Sequence, residues 1–184
     1  MTRCHRVRSV VITLAWLCLA MGLRTGGIDA DTILYLPAVS SSPQPAATPD
    51  PSALIEQRIG DLINGARAEH GLPPLARSDE LALAARRHST DMATHGFFDH
   101  AGSDGSTPGE RITLAGYAWR ACGENIAAGY LTPEDVMGAW MGSDAHRDAI
   151  LSDLYLDMGA GYAYDAGSPY DRYYTVDLAA CQNP

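Results

Sequence analysis

Apolar positions recur at helical spacing through most of the chain's body and at every second position near its end. Ile55, Ile59, Leu62, Ile63 and Ala66 share one helical face, with Asp50 able to cap, Pro51 suited to the first turn and Gly71 closing the segment. "LPPL" breaks the chain, and Ser78 then caps a second helix whose stripe is Leu81, Ala84, Ala85, His88 and Met92, ending at Gly96. "TPGE" predicts a third, short helix: Thr107 and Glu110 make a capping box around Pro108. "TPED" repeats the device at Thr132 to Asp135, opening a helix that buries Val136, Met137, Trp140 and Met141. Ser143 can cap one more helical turn carrying His146, Ile150 and Leu151. The period then becomes two: "MGAGYAYD" and "RYYTVDLAA" flank the turn "AGSPY" and predict an antiparallel hairpin. With a further strand around "NIAAGY", the fold class is α+β, helices covering an antiparallel sheet.

The first thirty residues stand apart from this body. Arg3, Arg6 and Arg8 precede the uncharged run "VVITLAWLCLAMGL", and "GGIDA" ends in a small residue suited to cleavage, so residues 1–30 read as a signal peptide of a secreted or envelope-associated protein. The run is short for a membrane span, and no stable span is expected after cleavage. Trp16 and Leu17 are too large for a lipoprotein processing site before Cys18, and Cys4 and Cys18 leave with the leader. Residues 31–52, rich in Pro, Ser and Ala, read as a tether, and residues 53–184 as one folded domain.

Two cysteines remain, Cys122 and Cys181. In an oxidising compartment they are expected to form one disulfide tying the chain end to the middle of the domain, in preference to two separate thiols. Without its leader the chain has nine arginines, no lysine and twenty-one acidic residues, a net charge of −12. That charge excludes nucleic acid and anionic membranes as electrostatic partners. No apolar stripe is left over after the core is assigned, which predicts a monomer.

The question of chemistry begins at "ACGENIAAGY", where Glu124 lies among small apolar residues. A carboxylate in such a setting needs a partner. His70 and His95 precede helix-ending glycines and read as caps, and His88 lies on an apolar stripe and reads as a core residue. His100 follows "FFD" on a loop, where two aromatic residues can bury and fix the chain, and His146 opens a short helix, so both are accessible candidates. Two imidazoles and a carboxylate are the ligand types of an open zinc-type site, although the spacing matches no short metal motif. Glu124 has two other roles open to it. It can hold the two histidines by hydrogen bonds, or act as a general base, for which Ser89, Ser103, Ser106 and Ser143 are poor nucleophile partners because they read as caps, turns or helix surface.

"LINGARAEHGLPPL", "AARRHSTDMATHGFFDH", "GENIAAGY", "AWMGSDAHRDAIL" and "MGAGYAY" together, in order over about residues 53 to 180, resemble the bacterial branch of the CAP superfamily, also called the SCP domain. This superfamily includes cysteine-rich secretory proteins, venom allergens and plant pathogenesis-related proteins. The resemblance implies a three-layer α-β-α sandwich with a central antiparallel sheet. It also implies a cleft of two histidines and two acidic residues that in several relatives binds a divalent cation, zinc being the best suited here. The family's first histidine falls on His100, its "GEN" glutamate on Glu124 and its second histidine on His146. The second acidic position falls on Ser143, a departure that leaves a three-residue set, with Asp144 as substitute only if the turn points it inward. The function expected is that of a secreted binding or interaction module whose cleft holds a divalent cation or a small ligand, lipid or envelope component. The alternative is a metal-assisted hydrolase, a peptidase or cell-wall hydrolase acting outside the cell.

Overall fold

The computed structural model describes residues 50–182. The predicted leader, with Cys4 and Cys18, and the tether up to residue 49 lie outside the described residues. Helix α1 (Pro51–Glu69) follows Asp50, whose carboxylate accepts from the Ser52 N–H at 3.0 Å. Helix α2 (Asp79–His95) is capped by Ser78 and closed by Gly96 at φ 67°, a left-handed conformation that costs glycine little. Helix α3 (Pro108–Leu114) has both bonds of the Thr107–Glu110 capping box, and in α4 (Pro133–Gly142) the Thr132 hydroxyl accepts from the Asp135 N–H. Helix α5 (Asp144–Ile150) completes the helical set.

Four strands form one sheet in the order β1-β3-β4-β2: β1 (Ala76–Arg77), β2 (Trp119–Ala128), β3 (Asp157–Tyr164) and β4 (Arg172–Cys181). The β3–β4 hairpin lies where the period-two pattern predicts it. Strand β2 is longer than "NIAAGY" suggests, and β1, too short to leave a pattern, pairs in parallel with β3. Helices α2 and α3 cover one face of the sheet and α1, α4 and α5 the other, giving the three layers. Gly159 and Gly161 let α2 lie directly on β3, since a Cβ at either position would fall on the backbone around Ala82 or Ala85. The opposite face holds the larger core: Ile59, Ile63, Val136, Trp140, Met158 and Leu178, all buried.

Arg67 is a buried charge that the helical pattern of α1 does not announce. Its guanidinium donates to the carbonyls of Pro73 at 2.9 Å and of Ile150 and Ser152 at 2.8 Å, closing the end of α5. Arg67→Met leaves three carbonyls without that donor and is expected to cost about 3 kcal/mol. The check is the urea midpoint at unchanged m-value, and a change below about 0.5 kcal/mol would remove this role for Arg67.

The expected disulfide is not formed: Cys122 and Cys181 are free thiols. Cys122 pairs across the ladder with Ala179, while Cys181 pairs with Trp119, beside a register irregularity between Trp119 and Ala121. The two cysteines are therefore diagonal neighbours, a placement that ordinarily sets Cα atoms about 7–8 Å apart, beyond the usual reach of a disulfide. Both pack against the cluster of Leu81, Ile112, Tyr117 and Ala179, and burial pushes the Cys122 thiol pKa up.

Candidate functional site

Strand β2 forms the sheet's far edge, and its period-two alternation sends neighbouring side chains to opposite layers. Glu124 points toward α2 and α3, where its side chain is 1 % exposed, while Asn125 points toward α5 and donates to the His146 carbonyl at 3.0 Å. The two adjacent residues of "GEN" thus tie down the two walls of one cleft. Trp140 adds a third tie, its indole N–H donating to the Ile126 carbonyl at 3.0 Å and holding α4 against β2.

His100 sits on the loop after α2, and its Nδ1 lies 2.8 Å from Glu124 Oε1. An ionised carboxylate only accepts, so Nδ1 carries the hydrogen and Nε2 is left uncommitted. The hydrogen bond to Glu124 raises the imidazole's pKa. Of the two aromatics that precede it, Phe97 packs against Ile126 and Tyr173, whereas Phe98 stays half exposed; one ring anchors the loop, not both. The loop is anchored further from α3: Arg111 donates to the carbonyls of Ser106 and His100 at 2.8 and 3.0 Å, and to Glu124 Oε2 at 2.7 Å. His88 is the core residue its stripe implies. It is fully buried, donates through Nε2 to the Asp99 carbonyl at 2.9 Å, and is held neutral by burial, which lowers its pKa.

His146 faces the same cleft from α5. Ser143 stands at the N-cap of α5 but makes no side-chain cap bond; its hydroxyl lies 2.8 Å from His146 Nδ1 instead. The residue that departs from the family's acidic pattern therefore orients the second histidine. Asp144 does not replace the missing acid, because it points outward and pairs with Arg147 at 2.7 Å. Burial and the neighbouring His100 lower the His146 pKa. His70 and His95 are end-of-helix residues, bonded to the carbonyls of Ala66 and Asp91.

A second acid does lie in the site, from an unexpected direction. Asp177 on β4 is the direct cross-strand partner of Glu124 and is fully buried. Neither of its oxygens has a hydrogen-bond donor among the described residues. Burial, followed by the facing Glu124 carboxylate, pushes the Asp177 pKa well up. Sequence reasoning missed both Asp177 and Arg111. The signal for Asp177 was present, an aspartate inside the buried alternation of "YYTVDLAA"; Arg111, next to an apolar helix position, left none.

The cleft encloses about 570 Å³ at the edge of β2, between the His100 loop and the α4–α5 corner. Its floor is Ile126, Ala127 and Ala128, and its walls include Tyr130, Trp140, Ser143 and both accessible histidines. The structure brings His100, Glu124 and His146 to one place, but both Glu124 oxygens are already engaged. Among the described residues no group of three or more His, Cys, Asp or Glu side chains is placed to hold a metal ion. His100 and His146 each commit Nδ1 to a neighbouring side chain, and Glu124 stands behind the His100 imidazole.

Comparison with known proteins places these features in a family. The family model described as cysteine-rich secretory protein family, CAP, matches residues 61–178. Protein YkwD of Bacillus subtilis (strain 168) is 33% identical over 141 residues, 76% of this chain and 54% of the relative. The membrane protein YlbC of the same organism is 32% identical over 106 residues, 58% of this chain and 31% of that protein. The chain thus spans about half and about a third of the lengths of these two relatives. Among solved structures, an extracellular protein containing an SCP domain from Bacillus anthracis superposes with a TM-score of 0.63 at 30% identity, covering 70% of this chain and 41% of that one. An outer surface protein from Borrelia burgdorferi has the same fold, with a TM-score of 0.63 at 19% identity over 68% of this chain and 92% of that one. No helix among the described residues is long and apolar enough to cross a membrane.

Proposed function

We infer the function from one premise: the chain belongs to the cysteine-rich secretory protein family, CAP. On that premise the cleft is a binding site in which His100 and His146 offer Nε2 to a divalent cation, or to a small polar ligand in its place. The observation that carries this reading is that each imidazole is held by its other nitrogen, His100 by Glu124 and His146 by Ser143. Such holding of the far nitrogen sets the ring direction of a histidine that binds through Nε2, and the Glu124 carboxylate also sets the tautomer of His100. When bound, a cation would supply a Lewis-acidic centre with open positions for ligand oxygens. Glu124 would act from behind His100, and Arg111 and Asp177 from behind Glu124. The leader-like first thirty residues, together with relatives described as extracellular and outer-surface proteins, support action outside the cytoplasm.

Zinc calorimetry on the chelator-treated protein tests this reading. One saturable site is expected, lost in a folded His100→Ala/His146→Ala variant and retained within about tenfold in Glu124→Gln, which still accepts from Nδ1. Affinity should rise with pH through the neutral range, because the proton that Glu124 stabilises on His100 must leave before the cation binds. Equal zinc binding by the wild type and the double variant would end the proposal.

A further inference from the structure

We propose that the ligand of this cleft is a neutral oligosaccharide chain, resting on the rings of Phe98, Tyr130 and Tyr170; this builds on the reading of the cleft as a ligand site. Three observations carry it. First, these three aromatic side chains are 44%, 38% and 46% exposed, large apolar groups left in water on one rim. Phe98 and Tyr130 line the cleft, and Tyr170 continues the surface beyond it, its ring centroid 6.0 Å from that of Phe98. Tyr170 also lies beside Gly129, where an added Cβ would meet its ring at 4.0 Å, so the strip closes on the residue next to Tyr130. The strip is thus longer than the cleft, which fits a chain better than a compact molecule.

Second, the polar groups that face the same space are two imidazoles, the Ser143 and Tyr130 hydroxyls and the Asp99 carboxylate, with no arginine or lysine among the lining residues. This set can donate to and accept from hydroxyl groups, but it holds no arginine or lysine to pair with a phosphate, a sulfate or an anionic polymer, which a leaderless charge of −12 would also repel. Third, the alanines at 127, 128 and 139 leave the cleft wide and open to solvent. An acyl chain placed there would remain partly in water, whereas a pyranose offers C–H groups to the negative faces of the rings and hydroxyls to the polar set and to solvent.

The test is titration of the full chain with chitohexaose, a soluble neutral hexamer of N-acetylglucosamine, followed by amide chemical shifts, with a neutral hexapeptide and zinc titrated separately. Saturable shifts should centre on Phe98, Tyr130 and Tyr170, and Phe98→Ala and Tyr170→Ala should each weaken binding about tenfold. Leu154→Ala, at a still more exposed apolar residue that does not line the cleft, should leave it unchanged. The proposal is overturned if the sugar gives no saturable shift, if Leu154→Ala weakens binding as much as the rim variants, or if the hexapeptide binds the rim and the sugar does not. Zinc binding that persists without sugar binding removes this proposal alone. Sugar binding without zinc binding upholds it and removes only the cation.

Discussion

Asp177→Asn is expected to stabilise the protein at neutral pH and to flatten the pH dependence of its stability. Below the ordinary carboxylate range both the folded and the unfolded chain hold the Asp177 proton, and the residue adds no slope. As pH rises past about 3.9 the unfolded chain releases that proton, while the folded chain keeps it because Asp177 is buried opposite Glu124. Each further pH unit then lowers stability by about 1.4 kcal/mol, until pH passes the raised folded value and the loss levels off. His100 acts in the same direction at higher pH: its pKa is raised, so its contribution is complete below the unfolded imidazole value and is lost as pH climbs through the folded one. Asparagine keeps a donor for Glu124 without a proton to lose. Urea midpoints at pH 4.5, 6 and 7.5 should therefore diverge between variant and wild type, with the variant the more stable at the higher values. Parallel profiles would mean that Asp177 is ionised in the folded protein.

Gly161→Val should abolish the fold. A side chain at this position has no direction in which to yield, because the space beside it is filled by the α2 backbone at Ala85 and Arg86. Separating α2 from β3 would open the layer that buries Ala84, Ala85, His88 and Met92, and the cost should exceed about 4 kcal/mol, at the extreme of single substitutions. Gly65→Ala is the matched control, since nothing lies within 4 Å of that Cβ on the exposed side of α1, and it should gain up to about 1 kcal/mol. A cooperative melt of Gly161→Val at the wild-type temperature would contradict the close approach of α2 to the sheet.

The helices were legible because their signals are local. Capping residues at Asp50, Ser78, Thr107 and Thr132 and apolar spacing of three and four positions are complete within a few turns, and each reappears in the structure. The hairpin was legible for the same reason. The candidate site was legible in its accessible members, His100 and His146, and in the oddity of Glu124. The groups that give those residues their orientation were not. Arg111 reaches Glu124 from another element, and Ser143 turns its hydroxyl from the helix end to an imidazole. The disulfide expectation failed because compartment and cysteine count say nothing of ladder register, which places Cys122 opposite Ala179 instead of Cys181.

By itself the sequence determined the helical segments, the late hairpin, the acidic charge and the residue types available to the cleft, since propensity, capping and period act over short distances. Tertiary structure alone decided which carboxylate faces which. Placing Asp177 across from Glu124 requires two strands 53 residues apart to pair in one register, and the rise in the Asp177 pKa exists only where that acid is withdrawn from water. It likewise decided that Glu124 meets a histidine and an arginine, because burial and partner geometry are properties of the packed chain.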